Sequence, residues 1–143
     1  IVKLREYPEV QGSAYYSSKT FKRNPNGWSD SLRNNYYRNW AIVPPMPWLD
    51  TTRPATPQIR QQADNGWLIS STAGAPVRYF ILYNVPADSA GFMKPSNIID
   101  VIGASGGKAV YYLPMHQEPG PLRIAVSAIS KNNMESAADM LVK

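Results

Sequence analysis

Thirteen prolines and nine glycines punctuate the 143 residues, and the spacing of these breakers constrains the fold more than any other feature. Proline lacks a backbone donor and locks φ, so long helices do not run through it. From residue 57 onwards, short segments rich in β-branched and aromatic residues recur between the breakers. They are Pro57 to Gln62, Gly66 to Ser71, Val77 to Val85, Ile98 to Ile102, Lys108 to Leu113, Pro121 to Ser130 and Met134 to Val142. The gaps carry turn chemistry: Asp64-Asn65-Gly66, Ala73-Gly74-Ala75-Pro76, the loop from Pro86 to Pro95, Ser105-Gly106-Gly107, Glu118-Pro119-Gly120 and Lys131-Asn132-Asn133. Seven strands so spaced predict a mainly β fold, a two-sheet sandwich over residues 53–143.

Alternation sharpens single strands. In LRIAVSAI, Leu122, Ile124, Val126 and Ala128 share one face, with Arg123, Ala125 and Ser127 on the other, which predicts a half-buried strand. In VRYFILYNV both faces carry bulk, the pattern of a strand central to its sheet. The last segment is ambiguous, because Glu135 to Leu141 holds good helix formers and fits either a strand or a short helix.

Residues 1–52 read differently. Ile1 to Glu9 looks like a helix tail stopped at Tyr7-Pro8, and Val10 to Ser18 is short and rich in small residues and aromatics, as in one strand. After the Asn24-Pro25-Asn26-Gly27 turn, Ser29 or Asp30 can cap a helix over 29–41 on which Leu32, Tyr36 and Trp40 share a face. A lone strand and helix cannot satisfy themselves. The unit therefore belongs to a larger sheet, and its unpaired strand at 10–18 predicts self-association. The proline-rich Val43 to Asp50 forms a packed connector burying Met46 and Trp48, and Thr51 to Pro57 suits a domain junction.

Composition bounds the function. With 43% hydrophobic and 17% charged residues the chain is globular in character. A net charge of +5 raises the question of an acidic partner, but seven basic and four acidic side chains in residues 1–52 against eight and six afterwards leave no basic block. Lys19, Lys22 and Arg23, the densest cluster, read as a solvated loop, and no nucleic-acid partner is expected. The absence of cysteine excludes disulfides, thiolate metal sites and cysteine nucleophiles. No apolar run reaches the roughly 18 residues of a spanning helix, so no transmembrane segment is expected. An opening on Ile1 is expected of a processed or partial chain.

Several stretches resemble a known family. Tyr7-Pro8-Glu9-Val10-Gln11-Gly12-Ser13, Tyr16-Ser17-Ser18-Lys19, Ser31-Leu32-Arg33 with Tyr36-Tyr37-Arg38, and above all Val43-Pro44-Pro45-Met46-Pro47-Trp48-Leu49-Asp50 resemble the barrel ending of bacterial, Bacteroides-type, family 10-like glycosyl hydrolases. The resemblance implies that residues 1–52 are the end of a (β/α)8 barrel, with 10–18 its last strand and 29–41 its closing helix. Residues 53–143 would then be a fibronectin-III/immunoglobulin-like β-sandwich, with Trp67 as the core tryptophan of its second strand. Leu122 stands where many such modules carry a corner tyrosine. The resemblance also implies a periplasmic or extracellular location, a catalytic barrel upstream as partner, and polysaccharide as substrate of the whole protein.

Glycosidases need two carboxylates flanking the scissile bond. In residues 1–52 the candidates are Glu6, Glu9, Asp30 and Asp50, each better explained by turns and helix capping, so no catalytic residue is assigned. His116 is the only histidine and assembles neither a metal site nor a nucleophilic triad; Gly103 to Gly107 lacks phosphate-loop spacing and reads as a hairpin turn. No cofactor and no metal is expected. Residues ending a barrel strand face the active-site mouth, which makes Tyr15, Tyr16, Ser17 and Ser18 candidate sugar contacts, with core packing of one tyrosine the alternative. Trp40 reads as helix packing. Trp28 sits in a loop, and Tyr111 and Tyr112 alternate across one strand so that one of them points outwards; these complete the candidate sugar contacts. Three functions follow: a non-catalytic accessory terminus of a glycoside hydrolase, a carbohydrate-binding module, or a protein–protein adhesion module.

Overall fold

The computed structural model describes residues 3–10, 14–62, 64, 66–86, 91–112 and 123–141. His116 and Leu122 lie outside them. The chain divides into two compact units, Ile1–Ala41 and Ile42–Lys143.

In the second unit the predicted strands form: β1 Gln58–Gln61, β2 Gly66–Ser70, β3 Val77–Asn84, β4 Ile98–Gly103, β5 Lys108–Tyr112, β6 Ile124–Ser130 and β7 Asp139–Leu141. They make a three-stranded sheet ordered β1-β2-β5 and a four-stranded sheet ordered β4-β3-β6-β7, with all pairings antiparallel. The fold is a mainly β sandwich. Its core lies between the inner faces, where Trp67 and Ile69 of β2 and Tyr111 of β5 meet Phe80 and Leu82 of β3 and Ile124, Val126 and Ala128 of β6. Burying one such large side chain is worth about 1.5–3 kcal/mol.

β3 is central, flanked by β4 and β6, as its two bulky faces predict. β6 is not half-buried: all of Ile124–Ser130 is buried. Its outer face shares a second apolar cluster of Ile81, Tyr83 and Ile129 under Ile42, Phe92, Ile98 and Val101. Phe92 meets Tyr83 edge-on at 6.1 Å. The covering residues are distant in sequence, so alternation within β6 carries no sign of them.

The C-terminal segment is neither a helix nor one long strand. Ser130 Oγ accepts from the N–H groups of Asn132 and Met134, closing the Lys131-Asn132-Asn133 turn. Ser136 Oγ then accepts from the Ala128 N–H at 2.9 Å, taking the place of a backbone acceptor, so that regular pairing is confined to β7. Glu135 Oε1 accepts from the hydroxyls of Tyr83 at 2.7 Å and Ser127 at 2.6 Å, which pins this segment to the outer face of the sheet.

The glycine-rich loop after β4 is a tight turn closed by reciprocal backbone bonds between Ser105 and Lys108. Gly106 and Gly107 both have positive φ, as a type I′ turn requires. It joins strands of different sheets. A Cβ on Gly107 would lie 2.4 Å from the Ser71 carbonyl oxygen, so only glycine fits.

The first unit has no strand among its described residues. Ala14 to Ser17 are irregular and α1 is Ser18–Arg23. α2, Trp28–Ser31, continues as a π-helical turn over Leu32–Tyr36. The strand expected over 10–18 is thus replaced at its C-terminal end by helix, since Ser18 to Arg23 can bond internally whereas a strand needs a neighbour. The self-association expected from an unpaired strand has no strand edge to work through among these residues. The helix expected to reach residue 41 stops at Tyr36, and Trp40 lies beyond it, half exposed.

Candidate functional site

In the first unit, Asn24 organises the approach to α2. It adopts a left-handed conformation that ends α1, and its Oδ1 accepts from the N–H of Ser29 at 2.8 Å while its Nδ2 donates to Asp30 Oδ2 at 2.6 Å. The cap of α2 is therefore Asn24, not Ser29 or Asp30. Asp30 sits in the first turn, where a carboxylate suits the helix dipole.

This turn brings three rings together. Tyr15 lies 5.8 Å from Phe21 and 5.5 Å from Trp28, both edge-on, and Phe21 lies 4.9 Å from Trp28. Beside them a cleft of about 480 Å3 is lined by Tyr15, Phe21, Ser29, Leu32, Arg33 and Tyr37. The Tyr15 and Tyr37 hydroxyls are 3.5 Å apart. Aromatic walls with hydroxyls and one guanidinium suit a ring that is apolar on its faces and polar at its rim.

Of the residues singled out from sequence, Tyr15 and Trp28 join this cluster, so Trp28 is not a free platform. Tyr16 points into solvent, fully exposed, and the Tyr16–Ser17 peptide is cis. Ser17 precedes α1 and makes no side-chain cap bond; Ser18 begins the helix, exposed. Phe21, Arg33 and Tyr37 were missed. The signal for Phe21 was its fixed offset from the Asn24 turn, which folds it back onto Trp28.

In the second unit Tyr111 is 6% exposed and packs in the core opposite Trp67, where burial raises its hydroxyl pKa. Tyr112 is the outward member, 57% exposed. Trp48, expected to be buried in the connector, is instead 75% exposed, because it stands at the tip of a turn closed by the Leu49 N–H to Met46 carbonyl bond.

The described carboxylates are engaged locally. Asp50 accepts from the Thr52 N–H at 2.8 Å, and its pKa is lowered by that backbone bond and by the Thr52 hydroxyl. Asp64 accepts from the Tyr112 hydroxyl and the Gly66 N–H, which lower its pKa in that order. A glycosidic general acid needs the opposite shift. Among the described residues no group of three or more histidine or carboxylate side chains is placed to hold a metal, and no helix is long and apolar enough to cross a membrane.

No protein-family profile matches the chain. Over 61 residues, 43% of the chain, it is 39% identical to the glycosyl hydrolase YngK of Bacillus subtilis, of which it covers 12%. Among solved structures, the spore cortex lytic enzyme SleM of Clostridium perfringens aligns with 64% of the chain and 28% of its own, at 14% identity and a TM-score of 0.33, too low for any inference. The chain thus spans a small fraction of the curated relative it matches, and it contains a glycoside-hydrolase-related region.

Proposed function

We propose that the chain is a non-catalytic accessory region of a glycoside hydrolase acting on polysaccharide. In this reading residues 1–52 are the C-terminal remnant of a family 10-like barrel, and residues 53–143 a fibronectin-type-III-like module. The observation that carries it is the 39% identity to a segment amounting to 12% of a glycosyl hydrolase. Most of that relative lies outside the match, and the catalytic carboxylates belong there. Support comes from the sandwich, whose fourth strand lies beside the third rather than completing a four-stranded sheet with the first two, unlike the constant immunoglobulin arrangement. The local engagement of Asp30, Asp50 and Asp64 also supports it.

The partner is the upstream barrel of the same gene product, and the location is the periplasm or cell exterior. The test is a truncation series of that longer product. The intact protein hydrolyses glycan; ending it at residue 52 keeps catalysis within about tenfold while lowering the thermal midpoint by several degrees. Loss of all turnover with an unchanged fold would place catalytic groups in the sandwich and refute the reading.

A further inference from the structure

The outer face of the three-stranded sheet holds one aromatic ring in a fixed position. Gly66 of β2 is the Cα partner of Tyr112 of β5. A Cβ on Gly66 would lie 3.0 Å from Tyr112 Cε1 and 3.3 Å from Cζ, so the ring occupies the space above the glycine where a side chain would stand. Its hydroxyl donates to Asp64 Oδ2 at 2.7 Å, and Asp64 Oδ1 accepts from the Gly66 N–H at 3.2 Å. Ring and carboxylate are thereby locked to the same turn. With 57% of the residue exposed, the ring presents apolar surface to solvent.

Polar groups surround that surface. Gln62 of the strand edge donates its N–H to the Gly66 carbonyl, which puts its side chain on the same face, across Gly66 from the tyrosine. The next row along the sheet is Arg60, Leu68 and Val110, with Arg60 exposed. The face therefore offers an apolar ring, a carboxylate acceptor at its rim, and amide and guanidinium donors beyond. Among the exposed large hydrophobic residues, only Tyr112 and Val110 lie on this sheet, far less than a protein interface or a lipid surface demands. The carboxylate beside the ring opposes phosphate.

We infer that Tyr112, with Asp64, Gln62 and Arg60, forms a binding site for one pyranose ring of a neutral polysaccharide. The C–H face of the sugar stacks on the tyrosine, and its equatorial hydroxyls meet the carboxylate, amide and guanidinium. Shielding bare glycine backbone needs only the ring; the anchored hydroxyl adds a fixed orientation, which lowers the entropy cost of stacking. This site rests on the polysaccharide reading above and names where the second unit contacts the polymer.

The test is an amide-shift titration of the full chain with β-1,4-linked oligomers of glucose, xylose and N-acetylglucosamine and α-1,4-linked glucose. At least one gives saturable shifts grouped at Arg60, Gln62, Gly66 and Tyr112, with a dissociation constant on the order of millimolar. Tyr112→Ala weakens it about tenfold or more, and Tyr112→Phe, which keeps the ring, by about threefold or less. Should Tyr112→Ala fail to fold, the wild-type map and the phenylalanine variant decide alone. Silence from all four sugars, shifts centred elsewhere, unchanged binding by Tyr112→Ala, or shifts that follow protein concentration without sugar, as a second copy would give, each overturn the site. None of these touches the accessory-region reading, which stands or falls on hydrolysis by the longer product.

Discussion

The two units differ in how far their own sequence can stabilise them. In the second, Phe80, Ile81, Leu82, Tyr83, Ile124, Val126 and Ile129 are wholly buried, spread over both faces of one sheet. In the first, Leu32 is the only buried hydrophobic among the described residues, and its helices are α1 with six residues and α2 with four before the π turn. Isolated helices that short are marginal in water. A sandwich closes on itself within one stretch of chain; the end of a barrel leaves its apolar faces waiting for strands encoded elsewhere.

That contrast is open to direct attack. Phe80→Ala, in the sandwich core, costs about 3–5 kcal/mol, a large part of the 5–15 kcal/mol that holds a typical domain. Phe21→Ala, in the aromatic cluster of the first unit, costs less than about 1 kcal/mol of global stability. Urea unfolding followed by circular dichroism measures both, and equal costs would erase the distinction.

Gly107→Ala comes next, at about 2–3 kcal/mol, from a positive φ and the collision with the Ser71 carbonyl. A loss under 0.5 kcal/mol, well below that estimate, would mean the turn between the sheets can relax. Tyr83→Phe follows, at about 1–3 kcal/mol, since it strips a partner from Glu135.

The same residue sets a pH dependence. Burial first, then the bond to Glu135, raise the Tyr83 pKa above its ordinary value. The folded state thus resists losing this proton more than the unfolded state does. Stability from this group is complete below the unfolded tyrosine value of about 10 and declines as pH rises beyond it. Tyr79, Tyr111 and Tyr112 shift in the same direction, so Tyr83→Phe flattens the alkaline slope without abolishing it. Chemical denaturation between pH 8 and about 11, bracketing that value, reads the difference; an unchanged slope would remove Tyr83 from the account. The smallest effect belongs to Tyr16→Ala, within about 0.5 kcal/mol of zero, because the side chain is fully exposed.

Every strand of the sandwich was legible in sequence because the signal for a strand is local. Alternation in Val77 to Asn84 and the Asp64, Gly106-Gly107 and Asn132 turn chemistry announce their own structure. The burial of Ala125, Ser127 and Ile129 on the outer face was not legible, since it depends on Ile42 and Phe92, separated from β6 by long stretches of chain. The C-terminal strand was overextended because Ser136 bonds to Ala128 through its side chain, a substitution for a ladder bond that no propensity encodes. In the first unit, aromatics at 15, 16 and 28 were singled out correctly as a group, but their partners Phe21 and Tyr37 meet them through the Asn24 turn. Tyr112 was legible as an outward candidate; its seat on Gly66 and its bond to Asp64 required the register of two strand pairs.

The central claim is that this chain belongs to carbohydrate hydrolysis without performing it. Reducing-end release from a panel of polysaccharides, assayed with the purified 143-residue chain from pH 4 to about 9, the span over which carboxylate and histidine groups titrate, tests it most directly. The account predicts none above a buffer control. Turnover that copurifies with the chain and is lost in Asp30→Asn or Asp50→Asn would contradict it, because it would put a catalytic carboxylate where the structure shows only capping and turn contacts.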